Sequence, residues 1–176
     1  MSGPAELYIQ GLFGGRFGPE DHDARMDALL WQGDYEAASR HVVRVSPAYR
    51  EMAQARLALL QGSTPTQAGL AVPNGALSDA GYVYNLTRHY RSSGQPYRAV
   101  ELLASRAQFT APAIDGTLFV SEALAVAKSA GASQAVSIAS KVDDVFAPGT
   151  DISEGSFTLR DKYTDLMWLG GTKALW

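Results

Sequence analysis

The sequence predicts an all-α fold: an α-solenoid of tetratricopeptide-like helical hairpins, about 7–9 helices, stacked into a superhelical array. Three observations point there. Every strongly periodic segment repeats at the helical spacing, and no alternating run of strand length survives beside them. The helical segments are punctuated by Ser, Asp or Pro at their starts and Gly at their ends. The joints also resemble one another: Trp31-Gln32-Gly33-Asp34-Tyr35-Glu36-Ala37-Ala38 compares with Ser93-Gly94-Gln95-Pro96-Tyr97-Arg98-Ala99-Val100, and Ala130-Gly131-Ala132-Ser133-Gln134-Ala135-Val136 is a weaker copy. The glycines are separated by one or two units of about 34 residues, the length of such a hairpin. A hairpin cannot bury both apolar sides alone, so neighbours stack; small residues just after each turn (Ala38, Ala99, Ala135) let paired helices approach. A closed, irregular helical bundle with coincidental joints is the alternative.

In chain order, residues 1–18 form a poorly defined N-terminal segment, with Leu7, Tyr8, Ile9, Leu12, Phe13 and Phe17 interrupted by Gly11, Gly14, Gly15 and Gly18. The glycine cluster is no phosphate loop, since it lacks the Gly-Lys-Ser/Thr ending and no strand precedes it. Residues 19–176 form one α-superhelical domain. Pro19 opens the first helix, with Glu20, Asp21 and Asp23 at its positive end and Gly33 closing it. Asp34 caps a second through Tyr35, Ala38, Val42 and Val45. Ser46-Pro47 opens a third, through Tyr49, Met52, Ala53, Arg56, Leu59 and Leu60 to Gly62. A long non-periodic stretch, 62–77, carries Pro65, Pro73 and an Asn74-Gly75 turn.

Ser78 or Asp79 starts a fourth helix through Tyr82, Val83, Leu86 and Tyr90 to Gly94. Pro96 opens a fifth with Tyr97, Val100, Leu103 and Ala107 on one face, and Asp115 caps a sixth running to Gly131. A seventh passes through Ala135, Ile138, Ala139, Val142 and Phe146. After a loop over 147–156 comes a last helix that stops on Trp176 with no Gly, Asn or Pro to end it. It therefore reads as half of a hairpin cut from something longer, with an apolar face at Leu166, Leu169 and Trp176 left partly uncovered, or covered by a neighbouring molecule or the N-terminal segment.

Composition narrows the function classes. The apolar fraction of 46% and charged fraction of 19% are those of an ordinary globular protein. A net charge of −3 with no basic run argues against a nucleic-acid partner. Nothing approaches the roughly 18 consecutive apolar residues of a membrane span. With no cysteine, disulfides, thiolate chemistry and cysteine-based zinc sites are excluded.

The search for chemistry is mostly negative. His22, His41 and His89 fall in separate helices, and the consecutive residues Asp21-His22-Asp23 diverge by roughly 100° each on a helix, so they cannot share one ion. No Ser/His/Asp set is legible. Glycosidic cleavage needs a carboxyl group held protonated. Of the seven glutamates, Glu6, Glu20, Glu36, Glu51, Glu101, Glu122 and Glu154, most lie on polar faces or in loops, and only Glu122, flanked by apolar residues in the sixth helix, reads as half-buried. It is the candidate acid if the chain is a complete small enzyme. Asp143-Asp144 falls near a helix C-terminus, where the dipole disfavours negative charge, and receives no site role. Asn85-Leu86-Thr87 matches a glycosylation sequon but lies inside a helix. Tyr82, Tyr84, Tyr90, Tyr97, Tyr163, Trp168 and Trp176 are either core or stacking surfaces for sugar rings. No residue is assigned a catalytic, cofactor-binding or metal-ligating role, and no cofactor is expected.

Two stretches carry a family likeness. Arg160-Asp161-Lys162-Tyr163-Thr164-Asp165-Leu166-Met167-Trp168-Leu169-Gly170-Gly171-Thr172-Lys173-Ala174-Leu175 resembles a segment of the helical superstructure of soluble lytic murein transglycosylases. So does Arg25-Met26-Asp27-Ala28-Leu29-Leu30-Trp31-Gln32-Gly33-Asp34-Tyr35-Glu36-Ala37-Ala38. Between them Val72-Pro73, Gly81-Tyr82-Val83-Tyr84-Asn85 and Arg98-Ala99-Val100-Glu101-Leu102-Leu103 follow in the same order, so the likeness covers roughly residues 19–176. It implies a U- or ring-shaped α-superhelical region that precedes a lysozyme-like domain. That domain cuts the β-1,4 bond between N-acetylmuramic acid and N-acetylglucosamine in peptidoglycan and leaves a 1,6-anhydro product. It further implies a periplasmic location, with a signal peptide absent from this sequence, and peptidoglycan glycan strands as the partner of the parent enzyme. The family's catalytic Glu-Ser motif has no counterpart, because no glutamate in this chain precedes a serine. The expectation is a non-catalytic region that frames glycan strands and is inactive alone. A stand-alone scaffold for a protein partner is the alternative.

Overall fold

The computed structural model describes residues 17–175. Within them the chain is all-α: eight α-helices joined by loops and short 3-10 turns, with no strand among the described residues. The helices are α1 (Pro19–Gln32), α2 (Tyr35–His41), α3 (Pro47–Leu60), α4 (Ala80–Ser92), α5 (Pro96–Ser105), α6 (Gly116–Ser129), α7 (Ala132–Ser140) and α8 (Phe157–Ala174). The expected glycine cluster at Gly11, Gly14 and Gly15, most of the 1–18 segment, and Trp176 lie outside the described residues.

Local chemistry sets the boundaries. The side chains of Asp34, Ser46, Asp79, Asp115 and Ser156 each accept a backbone N–H at the start of α2, α3, α4, α6 and α8. Pro19, Pro47 and Pro96 occupy first-turn positions, where their missing N–H costs nothing. Gly33 and Gly94 take φ of 77° and 74°, and the residue after each returns its N–H five positions back, to the Leu29 and Tyr90 carbonyls. The first two joints are thus built alike. The third is not: Gly131 has φ −64° and precedes α7 as its N-cap, so α6 ends at Ser129.

Three other expectations need correcting. The second helix ends as α-helix at His41 and passes through a 3-10 turn, Val42–Arg44, because the chain must be extended before Pro47. The fifth ends at Ser105, so Ala107 is exposed; Arg106 turns away and Phe109 takes the buried position. The seventh ends at Ser140, and Val142–Val145 form a 3-10 turn with Phe146 beyond it.

Substantial packing joins only helices near one another in sequence. Helix α1 meets α2, α3 and α4; α4 meets α5 and α6; α5 meets α6 and α7; and α8 makes the most extensive contacts, with α6 and α7. The core is correspondingly divided. Met26, Leu30, Ala38, Val45, Ala53 and Leu57 form one cluster, while Ala55, Leu59, Ala76, Tyr82 and Leu86 form a second. A larger third runs from Trp31 and Tyr84 through Phe119 and Ile138 to Leu166. Ala38, Ala99 and Ala135 are fully buried, as small residues at the joints require.

The face of α8 expected to be partly uncovered is closed at Leu166, while Trp176 lies outside the described residues. Leu166 is 0% exposed and Leu169 half-buried. Gly170 packs so close to α7 that a Cβ there would lie 2.7 Å from the Ala139 Cβ. The uncovered apolar side chains are instead Phe157, Trp168 and Leu175.

Candidate functional site

Two buried arginines organise the polar interior. Arg56 lies on the apolar stripe of α3 and reaches between α1 and α4. Its Nη1 donates to Asp27 and, at 3.0 Å, to the Tyr49 hydroxyl; its Nε donates to Asn85 Oδ1 at 2.8 Å. The Asn85 amide in turn donates to the Leu30 carbonyl, so the sequon asparagine is an internal strut. Burial, the largest influence, raises the Tyr49 pKa. Arg106 is engaged more fully. It donates to both oxygens of Asp144 at 2.6 and 2.7 Å and to the Lys141 and Ala107 carbonyls, and it stacks 3.9 Å over the Phe109 ring. Asp144, which the sequence left without a role, also accepts the Phe109 N–H. Lys141 Nζ donates to the Ala104 and Arg106 carbonyls and so closes the C-terminal end of α5.

Beside this anchor two open clefts of about 370 and 330 Å³ share one wall, Asp143. The first is polar, with Gln108, Ser140 and Lys141; the second has Phe146, Pro148, Ile152 and Tyr163. The position of Asp143 follows from the 3-10 turn: Asp144 points inward to Arg106, and the adjacent residue is exposed. Tyr163, on α8, donates its hydroxyl to Asp143 Oδ1 at 2.7 Å, and its ring meets Phe146 edge-on at 6.5 Å. Burial, followed by that hydrogen bond, pushes the Tyr163 pKa up to about 12, so the hydroxyl remains a donor at neutral pH. Gly116 makes room for Phe146, since a Cβ there would fall 2.5 Å from its ring. The arrangement offers aromatic faces, a carboxylate and hydroxyl groups along an open surface. It suits ligands that carry several hydroxyl groups.

The other sequence candidates separate. Glu122 is half-buried as expected, yet both its oxygens receive Arg91 Nη1 at 2.7 Å; it is an ion-pair partner and not a carboxyl confined by apolar walls. Asp21 caps the Gly18 N–H and Asp23 holds the Ser46 N–H and hydroxyl, so they serve different neighbours. Among the described residues no group of three or more His, Asp or Glu is placed to hold a metal. His22 and His41, remote in sequence, lie together with rings 5.3 Å apart, and His41 Nε2 donates to the His22 carbonyl at 3.1 Å. Desolvation lowers the His41 pKa. Of the aromatic residues, Tyr82 and Tyr84 are core, the latter stacked 4.7 Å from Trp31. Tyr90 lies half-buried beneath the Arg98 guanidinium. Tyr97 and Trp168 are exposed on separate helices, leaving Tyr163 as the one that lines the cleft. No helix among the described residues is long and apolar enough to cross a membrane. Searches against protein-family models, curated proteins and solved structures give no match to this chain.

Proposed function

We propose that this chain is the non-catalytic α-superhelical region of an exported bacterial lytic transglycosylase. In the periplasm it frames peptidoglycan glycan strands for a lysozyme-like domain that cleaves the N-acetylmuramic acid–N-acetylglucosamine bond. The observation that carries the proposal is the cleft of Asp143, Phe146 and Tyr163. Its aromatic ring faces suit the C–H faces of sugar rings, and its carboxylate and hydroxyl suit their hydroxyl groups. Tyr163 also lies in the segment with the strongest family likeness. Glu122 is engaged by Arg91 through both of its oxygens and does not line this cleft. Incubation with purified peptidoglycan should carry the protein into the insoluble fraction without releasing anhydro-muropeptides. Their appearance with this protein, and not with a mock preparation, contradicts a non-catalytic role.

A protein-interaction scaffold is the second reading. It draws on Phe157, Trp168 and Leu175, which recur at helical spacing on one face of α8 and are all largely exposed. Recovery of one stoichiometric protein partner, with no retention on peptidoglycan, would favour it.

A further inference from the structure

A small cavity of about 50 Å³ opens where α1, α3 and the start of α4 meet the 110–114 loop. It exceeds the roughly 10–15 Å³ that admits one water and falls well short of the roughly 150 Å³ that admits a benzene ring. Arg56 lines it and is only 1% exposed. Its Nε and Nη1 are engaged as described, while Nη2 is a buried donor with no partner among the described residues. Gly81 is the device that admits the guanidinium: a Cβ there would lie 2.5–2.6 Å from its carbon and both terminal nitrogens. Gly81 also falls in the first turn of α4, where backbone N–H groups have no intrahelical acceptor. Acceptors face these donors. Asp27 lines the cavity, and Asp79, another lining residue, spends Oδ1 on the Tyr82 N–H, with Oδ2 left over. Trp31, held by its stacking on Tyr84, supplies an apolar wall.

We propose that this cavity binds a small uncharged amide. An amide presents a carbonyl oxygen to Arg56 Nη2 and an N–H to a carboxylate, and its methyl group lies against Trp31. The two carboxylates offset the arginine charge, so an anion of the same shape gains little. The cavity shares no residue with the cleft at Tyr163, so the inference does not depend on the proposed function.

Titration of isotope-labelled protein with acetamide, followed by the Trp31 indole N–H and Arg56 Nε–H resonances, tests it. Saturable shifts of both are expected, and acetate should bind at least tenfold more weakly. N-acetylglucosamine and N-acetylalaninamide, titrated in parallel, identify a saccharide or a peptide as the source by which one saturates. Ala111→Phe alters an exposed lining residue at the rim; it should weaken acetamide at least tenfold without changing the melting temperature. A cavity holding only water gives no saturable shift. That result, an equal response to acetate, or unchanged binding in folded Ala111→Phe overturns the proposal.

Discussion

The two ends of the molecule handle buried polar groups differently. In the C-terminal part, the Arg106–Asp144 pair is fully bridged although it lines the open polar cleft: each guanidinium terminus has a carboxylate oxygen and a carbonyl, and an aromatic ring covers the face. In the N-terminal part the core is smaller, and both buried polar atoms without partners among the described residues lie there, Arg56 Nη2 and His41 Nδ1. A buried ion pair with both terminal nitrogens used is a rivet; one with a terminal nitrogen to spare is a rivet with a socket. The contrast places a guanidinium with both termini bridged in the C-terminal part and the buried donor without a described partner in the N-terminal part.

The largest effect is expected from Arg106→Ala, which leaves the largely covered Asp144 carboxylate without its cation and with only the Phe109 N–H as described partner, and should cost about 3–5 kcal/mol in denaturant unfolding. The double change Arg106→Met with Asp144→Leu should recover most of that loss, because the desolvation penalty leaves with the charges. Arg56→Ala should cost less, about 1–3 kcal/mol, since the Asp27 side chain keeps 22% exposure and can be solvated. Equal losses at the two arginines would erase the contrast. Gly170→Ala pushes a methyl into Ala139 and should destabilise by about 1–3 kcal/mol in the same assay, a test of how tightly α7 and α8 are locked.

The smallest effect is a pH dependence in the N-terminal part. Burial holds the His41 pKa below its ordinary 6.5. Above pH 6.5 the imidazole is neutral in both folded and unfolded chains, so its contribution is complete. As pH falls below that value the unfolded chain takes up a proton that the folded chain resists, and stability declines until the folded-state pKa is passed. Melting temperatures between pH 7 and 5 should show a decline that His41→Gln flattens. An unchanged slope in that variant would remove His41 from the account.

Much of the fold was legible because it is written in local chemistry. Proline and caps such as Asp34, Ser46, Asp79 and Asp115 mark starts, and Gly33 and Gly94 adopt the left-handed backbone that ends a helix. The third joint misled because Gly131 serves a start and not a stop, and both uses look alike in sequence. The site was far less legible. Arg56 gave one signal, a charged residue at an apolar-stripe position between Ala53 and Leu59, but its partners Asp27 and Asn85 are each 29 positions away. Asp144 and Arg106 are 38 positions apart, and no periodicity relates residues in a turn to one another. Helical periodicity places Asp143 near a helix C-terminus, where the dipole disfavours a carboxylate. The 3-10 turn removes that objection and turns the residue toward Tyr163.

The most direct test of the central claim is residue-resolved titration of the protein with soluble peptidoglycan glycan strands. Binding at the cleft predicts saturable shifts at the backbone amides of Asp143 and Phe146, and a marked weakening in Tyr163→Ala. An absence of shifts there, or shifts confined to Phe157, Trp168 and Leu175 on the outer face of α8, would contradict it.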